Sequence, residues 1–101
     1  MPKLYEYLGL MIFFYSNEHD PVHVHGRHQE RESKAEFILM NGKIVEIRFL
    51  SVAGKRPLEG VQLANFKKIV TSYAEDIVIK WVDYFVYHKN IKAEKIRRKL
   101  K

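Results

Sequence analysis

The apolar residues of this chain change their spacing at Pro57, and this change limits the folds that the chain can adopt. Before Pro57 they alternate with polar residues or form short runs, which is typical of β-strands. After Pro57 they recur at intervals of three and four residues, which is typical of amphipathic helices. Since the chain has 101 residues, it is long enough for one such domain and too short for two.

Four short strands are predicted in the first half, and a tight turn joins the last two. Asn41 and Gly42 both tolerate the positive φ angle that a two-residue hairpin turn requires. The strand after this turn is expected to point Val45, Ile47 and Phe49 inward. The predicted strands cover residues 8–15, 22–27, 33–40 and 44–49. An antiparallel sheet of three to four strands follows from this pattern.

The region after Pro57 is predicted to form one or two C-terminal helices packed on one face of the sheet. Phe66 and Val70 lie on one side of the first helical stretch, and Trp81 and Phe85 lie on one side of the second. A break near residues 72–75 would divide the stretch into two helices. The predicted fold class is therefore α+β, with a small antiparallel sheet followed by the helices.

The net charge of +6 is concentrated at the C-terminus. Residues 89–101 contain seven basic residues and one acidic residue, whereas residues 1–88 contain equal numbers of each. We therefore expect a single neutral domain over residues 1–88 and a basic helical extension or tail over residues 89–101. The candidates for holding nucleic acid or an acidic partner through this tail are Lys95, Arg97, Arg98 and Lys99.

Composition also limits the cellular setting and the chemistry. No apolar run reaches the ~18–20 residues that a membrane-spanning helix needs. The N-terminus has no apolar segment of the kind that directs secretion. The chain has no cysteine, which excludes disulfides, thiolate metal sites and a cysteine nucleophile. We therefore expect a cytoplasmic protein that does not enter a membrane.

Four of the five histidines lie within ten residues, at His19, His23, His25 and His28. On an extended strand His23 and His25 point to the same side. They are candidate ligands of a divalent metal such as zinc, with His19 or Asp20 as a third ligand. They are also candidates for a metal-free acid–base pair acting on a phosphodiester, or for plain hydrogen-bond donors. A purely structural role fits the same spacing.

The segment FFYSNEHDPVHVHG, residues 13–26, resembles the signature of a small bacterial family known as domain of unknown function 4160 (DUF4160). The resemblance continues at residues 34–37 and in WVDYF, residues 81–85, so that it extends over most of the chain. Two positions depart from the family pattern. Val22 stands where a second proline is usual, and Gly26 stands where valine is common, which is expected to shorten or bend the strand over residues 22–27.

The resemblance implies a small stand-alone α+β protein, but it transfers no activity. Members of the family are frequently encoded beside another small domain of unknown function, in arrangements that look like toxin–antitoxin or regulatory pairs. Asn17, Glu18, His23 and His25 match the motif and carry over as candidate site residues. With the adjacent Asp20, they form the candidate binding set.

Two functional hypotheses follow. The first is a non-enzymatic interaction or regulatory module, an accessory protein of toxin–antitoxin type that uses its histidine-rich turn for recognition. Its partner would be another small protein from the same operon, with nucleic acid as a second class of partner through the basic tail. The alternative is a histidine-based or metal-assisted phosphodiesterase or ribonuclease, with His23 and His25 as the catalytic residues. The sequence does not determine the oligomeric state.

Overall fold

The part of the chain that the structure describes folds into one sheet with two helices, which confirms the α+β class. The computed structural model describes residues 2–15 and 21–97. The strands in that part of the chain are β1 (Lys3–Tyr7), β2 (Leu10–Phe13), β3 (His23–His28), β4 (Arg31–Met40), β5 (Lys43–Ser51) and β6 (Glu94–Lys95). The helices are α1 (Gly60–Ser72) and α2 (Ala74–Phe85), and both follow β5 in the chain, as predicted.

The described sheet has six strands in the order β5-β4-β3-β2-β1-β6, so the predicted number of three to four is wrong. One extra strand, β1, pairs antiparallel with β2 through a turn at Leu8 and Gly9. Both turn residues have positive φ, of 48° and 81°. Leucine rarely adopts such a conformation, and for this reason the sequence suggests a single strand over residues 8–15 instead of a reversal.

The other extra strand, β6, lies in the segment for which a helical extension or a tail is expected. Glu94 and Lys95 pair in parallel with Tyr5 and Glu6 of β1 and form the edge of the sheet. The Lys80 ammonium of α2 lies 3.1 Å from a Glu94 carboxylate oxygen, which links this strand to the helix layer. Both β6 side chains are exposed. Without an apolar face, the strand has no recognisable sequence pattern.

The predicted break in the helical region is confirmed at Tyr73, which ends α1 and begins α2. Its amide donates to Ile69 of α1, and its carbonyl accepts the amide of Ile77 in α2. Within the described residues, no helix is long and apolar enough to cross a membrane.

The hydrophobic core lies between the two helices and one face of the sheet. Gly26 in β3 lets α1 approach, because a Cβ atom at this position would lie 2.4 Å from Cδ1 of Phe66. Fully buried core residues include Leu4, Ile12, Val24, Ala35, Phe66, Ile69 and Val70. The opposite face of the sheet, called the open face below, has no helix packed on it in the described part of the chain.

Candidate functional site

Strand β3 places His23 and His25 together on the open face. Val24, between them, points to the other side and is fully buried in the core. The two imidazole rings have centroids 5.3 Å apart and meet edge to face. The prediction that they share one side of an extended strand is therefore confirmed. Because β3 is flanked by β2 and β4, they lie over the middle of the sheet and not at an edge.

The side chain of His25 is buried and hydrogen-bonded to a buried carboxylate. Its Nδ1 atom donates to Oε2 of Glu32 over 3.1 Å. His25 is 5% exposed and Glu32 is fully buried. The Tyr15 hydroxyl donates to the same carboxylate, at 2.9 Å and 3.1 Å from its two oxygens. Glu32 thus receives the hydrogen bonds that a buried charge requires.

Aromatic side chains pack around this pair. Phe13 stacks on the His25 ring with centroids 5.5 Å apart, and Tyr15 meets His25 edge to face at 4.6 Å. Phe13 is fully buried, although it lies outside the core beneath the helices. Phe13, Tyr15, His25 and Glu32 therefore form a second, smaller core on the open face, called the His25 cluster below.

His23 lies beside the His25 cluster and is half-buried. Its Nδ1 atom donates to the carbonyl of Pro21 over 2.7 Å, which fixes the ring against its own strand. His23 pairs directly with Glu36 of β4, and His25 pairs with Lys34. The ammonium of Lys34 and the carboxylate of Glu36 are 3.8 Å apart.

Arg27 lies on the same face, beside the His25 cluster. Its guanidinium carbon is 5.3 Å from the centroid of the Phe13 ring, a cation–π arrangement that places the charge over the His25 cluster. Arg27 is half-buried, as are His23, Lys34 and Glu36. These four residues are called the recognition surface below. They carry both signs of charge above a buried support.

The predicted metal site lies only partly within the described residues. Among residues 2–15 and 21–97, no group of three histidine, aspartate or glutamate side chains is arranged to hold a metal ion. His23 and His25 supply two imidazoles, and the Nδ1 atom of each is engaged in a hydrogen bond. The expected third ligands, His19 and Asp20, lie outside the described residues, as do the binding candidates Asn17 and Glu18.

The predicted tail cations are only partly described. Lys95 is exposed in β6, and Arg97 is exposed beyond it, near Val61 and Lys68 of α1. Arg98 and Lys99 lie outside the described residues. Lys95 pairs with Glu6 and therefore lies on the open face, but β6 is three strands away from His23 and His25 in β3, and Arg97 lies near α1.

The sequence analysis missed Glu32, Tyr15 and Phe13 as members of the site. The sequence could have indicated Glu32. In a β3–β4 hairpin with its turn at Gln29 and Glu30, residues at equal distances from the turn lie opposite each other. In that register Glu32 lies opposite Arg27 and diagonal to His25. Glu30, the acidic residue nearer to the histidines in sequence, is exposed in the turn instead.

Comparison with known proteins identifies a family. The family model described as "Domain of unknown function (DUF4160)" matches residues 9–82 of the chain. The matched segment includes β2, β3, β4, β5 and α1 and nearly all of α2. Neither a curated protein nor a solved structure matches the chain.

Proposed function

The chain belongs to the DUF4160 family, and we propose that it is a non-enzymatic interaction module. It acts in the cytoplasm as an accessory or regulatory protein of toxin–antitoxin type. Its recognition surface binds another small protein encoded beside it. The observation that carries this proposal is the burial of His25 and Glu32 beneath a half-buried surface of mixed charge.

The burial of His25 favours a supporting role over a catalytic one. A general acid or base must reach the proton that it transfers, and His25 is only 5% exposed. Its Nδ1 atom is held by Glu32, and its ring is packed against Phe13 and Tyr15. Such a side chain makes a rigid base for the residues around it, and preorganised contact residues lose less entropy on binding.

The charges of the recognition surface suit a protein partner. Lys34 and Arg27 are basic, whereas Glu36 is acidic, and the three lie on neighbouring strands of one face. Nucleic-acid surfaces are usually dominated by basic residues, because each phosphate carries a negative charge. Mixed charges instead match the charged and polar groups of another protein and set the orientation of the complex.

The competing function is a histidine-based or metal-assisted phosphodiesterase or ribonuclease. One observation favours it, since a carboxylate bonded to Nδ1 of an imidazole is the arrangement that orients catalytic and metal-bound histidines. It would use His23 and His25 as its acid–base pair or metal ligands, with cations of the tail holding the substrate.

A binding titration with matched variants tests the proposal. The native chain is titrated calorimetrically with the small protein encoded beside it, together with the variants Lys34→Glu and Lys68→Glu. Lys34 lies in the recognition surface, whereas Lys68 is exposed on α1 on the other side of the sheet. Lys34→Glu should weaken binding about tenfold or more, and Lys68→Glu should leave the affinity unchanged.

A parallel assay separates the two functions. The native chain is incubated with RNA and with a chromogenic phosphodiester, with and without Zn²⁺. We expect no turnover under either condition. Hydrolysis that disappears in both His23→Ala and His25→Ala, without binding to the neighbouring protein, would contradict the proposal and support the enzyme.

A further inference from the structure

Strand β5 forms one edge of the sheet and is long for an edge strand. It spans nine residues, Lys43–Ser51, and within the described residues it pairs with β4 on one side only. It contains no proline, which is a common means of preventing an edge strand from pairing with another chain. Its outer hydrogen-bonding groups are therefore suited to receive another strand.

The side chains of β5 are sorted by face. Ile47 and Phe49 pair with Phe37 and Ala35 of β4 and lie half-buried on the helix side. Val45 has no partner in β4, because a bulge interrupts the register there, and it is 56% exposed. Ile47 and Phe49 therefore form an apolar pair on the helix side, and Val45 lies in the bulge beside them.

The open side of the same strand carries opposite charges. Glu46 and Arg48 both point to the open face, and their side chains are 51% and 54% exposed. Within one chain they form an ion pair, with Nε of Arg48 2.8 Å from Oε2 of Glu46. An exposed pair of this kind contributes little to the stability of a single chain.

The sequence of β5 is complementary to itself in one antiparallel register. If two copies of β5 are related by a two-fold axis through Ile47, Glu46 of each copy lies opposite Arg48 of the other. On the helix side, Ile47 meets Ile47 of the second copy. Directly opposite residues on paired strands contact each other, so both faces of this register are favourable.

Neighbouring registers lack this match. Residues that lie opposite each other belong to the same face only when the two-fold axis passes through a residue position, because side chains alternate between the faces along each strand. An axis through Glu46 would place two glutamates opposite each other, and an axis through Arg48 would place two arginines opposite each other. Like charges directly opposite are destabilising. The register centred on Ile47 is therefore the favoured one.

We propose that the chain forms a homodimer by antiparallel pairing of β5 with β5 of a second copy, centred on Ile47. The two sheets join into one, with all the helices on the same side. The open faces, including both recognition surfaces, become continuous across the axis. This inference is independent of the partner proposed above, since it uses the sheet edge and not the recognition surface.

Charge reversal in trans tests the dimer. Glu46→Arg places arginine opposite Arg48, and Arg48→Glu places glutamate opposite Glu46, so each variant alone should dissociate roughly ten- to hundred-fold more readily than the native chain. Mixed in equal amounts, the two variants restore both opposite-charge pairs and should form a heterodimer. Sedimentation velocity measures the mass in each case. Loss of the ion pair within one chain cannot explain recovery on mixing.

Glu30→Arg provides the matched control. It makes the same change of charge at an exposed position in the β3–β4 turn, outside the proposed interface. It should sediment as a dimer, like the native chain, and circular dichroism should show that all variants are folded. A native chain that stays monomeric at millimolar concentration would overturn the proposal. So would variants that remain dimeric alone, a mixture that stays monomeric, or pairing of β5 with a different protein instead of a second copy.

Discussion

At the scale of single residues, Glu32 is the hydrogen-bond acceptor of the His25 cluster on the open face. Its carboxylate accepts hydrogen bonds from His25 and Tyr15, two side chains that also contact each other through their rings. The side chain of Glu32 is fully buried. The stability of the His25 cluster therefore depends on this one carboxylate, because a buried polar network is stable only when each of its members is hydrogen-bonded.

Replacing Glu32 by alanine should destabilise the fold, because it removes the carboxylate to which the buried His25 ring and the half-buried Tyr15 hydroxyl donate. We expect a loss of about 3 kcal/mol in the free energy of unfolding. Urea denaturation measures this loss. Glu32→Gln, which keeps an acceptor oxygen, should lose less, and the exposed Glu30→Ala should change stability by no more than about 0.5 kcal/mol. Equal stability of Glu32→Ala and the native chain would show that the cluster is not structural.

Gly26 is required by a neighbouring side chain. Sequence analysis explains it as a residue that permits a bend in β3, but the strand continues through it to His28. The structure gives a different reason, because Phe66 occupies the space that a Cβ atom would need. No sequence pattern could reveal this contact, since the two residues are brought together only by packing of α1 on the sheet.

Gly26→Ala should therefore destabilise the fold by about 1–3 kcal/mol through overpacking. The cost should fall sharply when Phe66→Ala removes the ring that the new methyl group meets. A double-mutant cycle measured by thermal or urea denaturation gives the coupling. If Gly26→Ala lowers the free energy of unfolding by the same amount with and without the Phe66 ring, the close contact is not the cause of this loss.

At the scale of secondary-structure elements, the ion pair of Asp76 and Lys80 links β1 and β6 to α2. The Tyr5 hydroxyl of β1 donates to Asp76 of α2, and Lys80 donates to Asp76 over 2.9 Å and to Glu94 of β6 over 3.1 Å. Burial of the hydroxyl and its bond to Asp76 raise the pKa of Tyr5 far above its usual value. The short β6 is held by these side chains as well as by its backbone.

The acid stability of the protein should depend on Asp76. Burial acts to raise its pKa, but the hydrogen bonds from Tyr5 and Lys80 and the charge of Lys80 outweigh burial and lower it. A carboxyl whose pKa is lower in the folded state stabilises the fold above its unfolded pKa, about 3.9, and this stabilisation is lost as the pH falls through the folded value.

Asp76→Asn removes this contribution. The variant should be less stable than the native chain at neutral pH, and the difference should shrink as the pH falls below about 4. Thermal unfolding across this pH range measures it. Asp83→Asn is a control on the same helix, at a carboxylate 3.7 Å from the exposed Lys89. A difference between native chain and Asp76→Asn that is constant with pH would contradict this account.

The sequence predicts well the elements in which apolar residues recur at a regular spacing. Strands β3, β4 and β5 and the break between α1 and α2 follow from alternation, the Asn41–Gly42 turn and helical spacing. Strand β1 is missed because its turn uses a leucine with positive φ. The prediction that Val45 points inward fails because a bulge leaves it unpaired with β4.

At the scale of the whole molecule, the sheet separates two surfaces. One face is covered by the helices, and the other carries the recognition surface above the His25 cluster. Sequence analysis finds the two histidines because they share one strand. It does not find their support, since Phe13 lies in β2, Tyr15 follows β2 and Glu32 lies in β4, and their alignment with β3 depends on strand registers.

The most direct test of the central claim is a map of where the neighbouring protein binds. Amide and imidazole NMR signals of the labelled native chain are recorded while the unlabelled small protein encoded beside it is added. We expect the largest changes at His23, Arg27, Lys34 and Glu36, and little change along α1. Changes confined to the helices and the basic tail, or no change at all, would contradict the proposal that the recognition surface on the open face binds this protein.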